Sequence, residues 1–123
     1  MTAQENRRIV LDFYEAVVNR RDFTAASAYL GDVYIQHRAD VPDGVDGLRR
    51  FMLRERSPQT RVDVRRVFVD GDHVILHAHV VPSPDDRGSA HVDIFRVDGG
   101  KVVEHWDVDE PIPAETANSN GVV

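Results

Sequence analysis

The chain has no cysteine. That excludes a disulfide framework and a thiolate nucleophile. It also lacks any apolar run of membrane-spanning length, so no transmembrane helix is expected. The opening residues Met1-Thr2-Ala3-Gln4-Glu5-Asn6-Arg7-Arg8 carry no apolar signal-peptide core, and a soluble cytoplasmic protein is the expectation. Basic residues are too few to dominate: 15 Lys and Arg stand against 21 Asp and Glu, for a formal net charge of -6. With no basic stripe, a nucleic-acid groove is not expected. Internal repeats and domain linkers are missing too. What remains is a chain of 123 residues, 41% hydrophobic. That suffices for one domain with its own core and argues against disorder.

Thr2-Ala3-Gln4-Glu5 has the form of a capping box. Ile9, Val10, Phe13, Val17 and Val18 then recur at helical spacing, which predicts a helix to about Asn19. Asp22 can cap a second helix through Phe23, Ala26 and Leu30, with Gly31 as its stop. Tyr34-Ile35-Gln36-His37 reads as a short extended piece and Pro42-Asp43-Gly44 as a turn. A third helix places Leu48, Phe51 and Met52 inward, and Pro58 stops it. The arginines Arg49, Arg50, Arg54, Arg56, Arg61, Arg65 and Arg66 read as a solvated face.

From Arg61 the period changes to two. Strands are predicted over Arg61 to Val69, with a bulge near Arg65-Arg66, and over His73 to Val81. Ser89 to Val97 and Lys101 to Asp109 complete the sheet. Helices first and antiparallel strands afterwards predict an α+β fold, with a curved sheet closing over a helix to leave a pocket. The domain is expected over 1–113, with 114–123 as a loose C-terminal tail.

The last two strands flank Asp98-Gly99-Gly100, a strong hairpin signal. Alternation puts His91, Asp93 and Phe95 on one face, and His105, Asp107 and Asp109 on one face of the partner strand. The large apolar Phe95 turns its face inward and brings Asp93 with it. If Asp107 faces inward as well, two carboxylates in a low-dielectric pocket resist joint ionisation, which suits a general base or acid. The competing reading is exposure, or an ion pair with Arg96 or another arginine. Alternation also forces a choice between Trp106 and Asp107, since they cannot share a cavity unless a bulge intervenes. Trp106 is either a pocket wall or an interface anchor.

His77 and His79 share a strand face, and with a third histidine and a carboxylate they have the makings of a metal site. The bland reading, half-buried histidines each bonded to a neighbour, is preferred, and no metal is expected. His37 is a candidate for the mouth of the pocket near Asp107, or a loop histidine bonded to a carbonyl. Tyr14 and Tyr34 are candidate oxyanion donors or packed core residues.

Phe13-Tyr14, Tyr34-Ile35-Gln36-His37, Pro42-Asp43-Gly44 and above all the stretch from Asp93 to Asp107 resemble the SnoaL-like polyketide cyclase family. That family belongs to the nuclear transport factor 2-like (NTF2-like) superfamily of cone-shaped α+β folds. The resemblance covers nearly the whole chain to Pro113. It implies three N-terminal helices on a strongly curved, mostly antiparallel sheet. It also implies a cofactor-independent activity on a small hydrophobic or aromatic carbonyl compound. In the family's cyclases an aspartate on the last strand is the base of an aldol ring closure, and that aspartate falls on Asp107. The family's pocket histidine falls on Asp93, where this chain departs from the pattern. The expected site is therefore Asp107 and Asp93 as catalytic groups, with His37, His91, His105, Tyr14 and Tyr34 around the substrate. The second reading, from another class, is a non-catalytic ligand-binding or dimerisation module. Apolar Val92 and Ile94 on the outer sheet face predict a homodimer.

Overall fold

The first helix, α1 (Ala3–Tyr14), begins at its capping box. The Thr2 hydroxyl accepts from the Glu5 N–H at 3.1 Å, and the Glu5 carboxylate accepts from the Thr2 N–H at 3.2 Å. These bonds satisfy two of the donors that a helix start leaves orphaned. The helix runs on into a π-helical turn, Glu15–Asn19, closed by the Arg20 N–H on the Glu15 carbonyl at 3.1 Å. The widened turn lets Ala16, Val17 and Val18 all be buried in succession. The computed structural model describes all 123 residues.

Helix α2 (Phe23–Ser27) starts on the Asp22 carboxylate, which accepts from the Ala25 N–H at 3.0 Å. It ends before the point that the spacing predicted. Leu30 and Gly31 belong instead to strand β1 (Leu30–Gln36). Gly31 serves close approach, not helix termination: a Cβ there would lie 2.9 Å from Val103 Cγ1 on the neighbouring strand. Helix α3 (Gly44–Arg50) also runs into a π-helical turn, Phe51–Glu55. Arg21, in the left-handed region at φ 51, donates to the Met52, Arg56 and Leu53 carbonyls at 2.9, 3.4 and 3.3 Å. It thereby ties the end of the first helix to the end of the third.

Four strands follow: β2 (Arg61–Asp70), β3 (His73–Val81), β4 (Ser89–Asp98) and β5 (Lys101–Pro111). The sheet order is β1-β5-β4-β3-β2. β1 runs parallel to β5, and the other pairings are antiparallel. The β2–β3 register slips between Val64 and Arg66, at the predicted bulge. Gly99 and Gly100 both take positive φ, 56 and 80, as a two-residue primed hairpin turn demands. Along β3 every second residue is buried. Val74, Leu76 and Ala78 meet Val10, Phe13 and Val17 of the first helix in the core. Burial of each large aliphatic side chain contributes on the order of 1.5–3 kcal/mol. Past Pro111 the chain has no helix or strand, and residues 113–121 are exposed. The sheet is curved and the helices pack on it, which is the NTF2-like fold.

Candidate functional site

Between the helices and the inner face of β4 and β5 lies a cavity of about 50 Å³. Phe13, Val17, Leu48 and Met52 form part of its apolar wall, and His91, Asp93, His105 and Asp107 supply polar groups from the sheet. Register explains the clustering: Asp93 pairs with Asp107 and Phe95 with His105 across β4 and β5. Gln36 pairs with His105 on the other side.

Asp93 is 3% exposed, and both of its oxygens are occupied. Tyr14 donates its hydroxyl to Oδ2 at 2.8 Å, and His105 Nε2 stands 2.8 Å from Oδ1. Hydrogen-bond valence locates a proton here. The Arg38 backbone N–H donates to Gln36 Oε1 at 3.0 Å, so that atom is an acceptor. The same oxygen lies 2.8 Å from His105 Nδ1, which must therefore carry a proton. His105 Nε2 and Asp93 then share a further proton between them. Burial, followed by the Asp93 charge, pushes the Tyr14 pKa well above its usual value, so Tyr14 stays a neutral donor. Burial and Asp93 push Tyr34 up in the same way.

Asp107 is held differently. Its side chain is 9% exposed and lines the cavity. Arg38 donates to Oδ2 at 3.1 Å, whereas Oδ1 accepts no hydrogen bond from the protein. Burial pulls the Arg38 pKa down, but Asp107 and Asp40 outweigh it, so the net shift is upward and the guanidinium stays charged. Arg38 Nε lies 2.8 Å from Asp40 Oδ1, at a geometry too poor for a hydrogen bond. Phe51 carries two cations, with Arg38 and Arg56 at 5.6 and 5.5 Å from its ring centroid. Burial lowers the His91 pKa, which favours the neutral ring, and its Nε2 lies 2.9 Å from Ser89 Oγ.

Ligand atoms of His91, Asp93 and Asp107 come within 4.8 Å of one another. A metal ion there would compete with Tyr14, His105 and Arg38 for the same oxygens, beside a fixed guanidinium charge. His77 and His79 point to the other sheet face. His77 Nδ1 accepts from Arg66 at 2.9 Å, and His79 Nε2 lies 2.8 Å from the Arg87 carbonyl.

The model of the SnoaL-like polyketide cyclase family matches residues 8–117. The chain belongs to the SnoaL-like polyketide cyclase family. Among solved structures, a candidate ketosteroid isomerase of Kribbella flavida is 16% identical. It aligns with a TM-score of 0.78 over 96% of this chain and 93% of its own. A candidate polyketide cyclase of Bacillus cereus is 20% identical, with a TM-score of 0.73 over 88% and 76%. TsrD of Streptomyces laurentii is 17% identical, with a TM-score of 0.72 over 89% and 91%. No curated protein matches. At these identities the structural likeness carries the fold alone.

Within this SnoaL-like cavity stand Asp107, Asp93, His91, His105, Tyr14 and Tyr34. His37 does not join them. Its Nε2 lies 2.8 Å from Glu104 Oε2, and its ring stacks on Trp106 at 4.7 Å on the outer face. Alternation is the reason: Tyr34, Gln36 and Arg38 fall on the inner side, and His37 on the other. The same rule turns Trp106 outward and Asp107 inward. Composition misled in the middle of the chain, where Arg56 is not simply solvated but lines the cavity. Gln36 and Arg38 were missed as well, although the spacing from Tyr34 carries their signal.

Proposed function

We propose that the chain is a cofactor-independent enzyme of the aldol-cyclase or isomerase type, with Asp107 as general base. The observation that carries this reading is a carboxylate in the cavity with one oxygen anchored and the other free. Asp107 Oδ1 takes a proton from a carbon next to the carbonyl of a small hydrophobic or aromatic ligand. The C–H electron pair moves into the C–C bond, and the carbonyl becomes an enolate. The neutral hydroxyl of Tyr34 and the Arg38 charge favour the developing oxyanion. The enolate carbon then attacks a second carbonyl of the same ligand and closes a ring, and the new alkoxide takes the proton back. In an isomerase the proton returns to a different carbon instead. Asp93, with both oxygens occupied, is a positioning group, contrary to the catalytic role expected of it.

The test is α-proton exchange of phenylacetone in heavy water, followed by NMR. Asp107→Asn keeps the shape and removes the base, so exchange should fall by roughly two to four orders of magnitude. Equal rates in the parent and the variant would sink the assignment and leave the binding module as the better reading.

The apolar strip of Val92, Ile94, Trp106 and Val108 on the outer face supports a homodimer packed sheet to sheet, compatible with either reading.

A further inference from the structure

The cavity of about 50 Å³ has room for only a few water-sized groups. A ligand large enough to close a ring must extend beyond it. An adjoining groove of about 290 Å³ shares Arg38, Phe51, Arg56 and His91 with the cavity. It is the continuation open to such a ligand.

Arg56 stands where the two volumes meet. No carboxylate lies within salt-bridge distance of its guanidinium. Its only side-chain acceptor is the weak Met52 Sδ at 3.9 Å, and the group lies over the Phe51 ring. Most of its N–H fork has nothing to donate to. Thr60, also in the groove lining, is 2% exposed, and its hydroxyl has no hydrogen-bond partner. Arg56 is half-buried, so a ligand oxygen would take the place of water on its free N–H groups, and Thr60 is the buried hydroxyl without a partner in the same lining.

We propose that the ligand carries a carboxylate and that Arg56, with Thr60 beside it, receives that group while the reacting carbonyl lies against Asp107. A planar carboxylate matches one guanidinium fork. Glu55 and Asp109 also border the groove and would repel a doubly charged phosphate more strongly. The proposal rests on the reading of the cavity as a ligand site and adds the ligand's charge.

The test is a calorimetric titration of the parent protein with benzoylpropionate, an aryl ketone with a carboxylate, and with its uncharged methyl ester. The acid should bind about ten- to a hundredfold more tightly, the range for hydrogen bonds to a charged group. Arg56→Met should abolish the preference, Thr60→Val should reduce it, and Asp109→Asn should enlarge it. Equal binding of acid and ester overturns the proposal. So does a preference that survives in Arg56→Met, or failure of the acid to bind at millimolar concentration. If Arg56→Met does not fold, Arg56→Gln takes its place, because Arg38 also lines the groove and the parent titration cannot tell the two arginines apart. Acid preference without α-proton exchange would keep this proposal and remove the base assignment. Exchange without acid preference would do the reverse.

Discussion

The same two strands, β4 and β5, build two unlike surfaces. On the inner face His91, Asp93, His105 and Asp107 are enclosed, and Asp93 and Asp107 each have a fixed partner. On the outer face Arg96 Nε donates to Glu104 at 2.8 Å, His37 stands against the same carboxylate, and Trp106 and Val108 form an apolar strip. Residue types are similar on both sides, and access to water differs most between the His105–Asp93 pair, with side chains 9% and 4% exposed, and His37, at 42%. Inside, a charge left without its partner has nothing to replace it. Outside, water replaces a lost partner cheaply.

The largest test of that contrast is Asp93→Ala. It strands His105 and Tyr14 and should cost about 3–5 kcal/mol of stability in urea unfolding, as loss of one member of a buried pair does. A cost under 1 kcal/mol would erase the distinction between the faces. Trp106→Ala should leave stability nearly unchanged. It should weaken self-association by about 2 kcal/mol, or roughly thirtyfold, if the outer face is the dimer contact. Sedimentation velocity over a concentration series reads this directly.

A smaller effect follows from pH. Burial holds His91 below its ordinary value of 6.5, against the opposing pull of Asp93, Asp109 and Asp107. The unfolded chain therefore binds a proton at higher pH than the folded chain. The stability that His91 contributes is present above about pH 6.5 and is lost as pH falls through its folded pKa. His91→Gln should flatten that part of the profile of urea midpoint against pH, and an unchanged slope would contradict it. Glu104→Gln comes last, at about 0–1 kcal/mol. His37 and then Arg96 hold the Glu104 pKa below 4.5, so this contribution fades only as pH drops below that value.

Periodicity made most of the sheet legible. The bulge at Val64 to Arg66 and the Gly99-Gly100 turn follow from local pattern, and so do the inward settings of Asp93 and Phe95. The parallel pairing of β1 with β5 did not show, because it joins residues about seventy positions apart and Leu30-Gly31 mimics a helix end. His37 was misplaced because its residue type outweighed the alternation that starts at Tyr34. Arg56 was hidden among exposed arginines. It follows the π-helical turn at Phe51–Glu55, and Arg21 donates to its carbonyl. The proton between Asp93 and His105 depends on Gln36, which reaches them from a third strand.

The most direct test of this account is a side-by-side measurement of phenylacetone α-proton exchange in Asp107→Asn and Trp106→Ala. The two residues are neighbours in sequence but face opposite sides of one sheet. Asp107→Asn should slow exchange by roughly two to four orders of magnitude, while Trp106→Ala stays within a few-fold of the parent. Equal rates in the two variants, or a larger loss from Trp106→Ala, would contradict it.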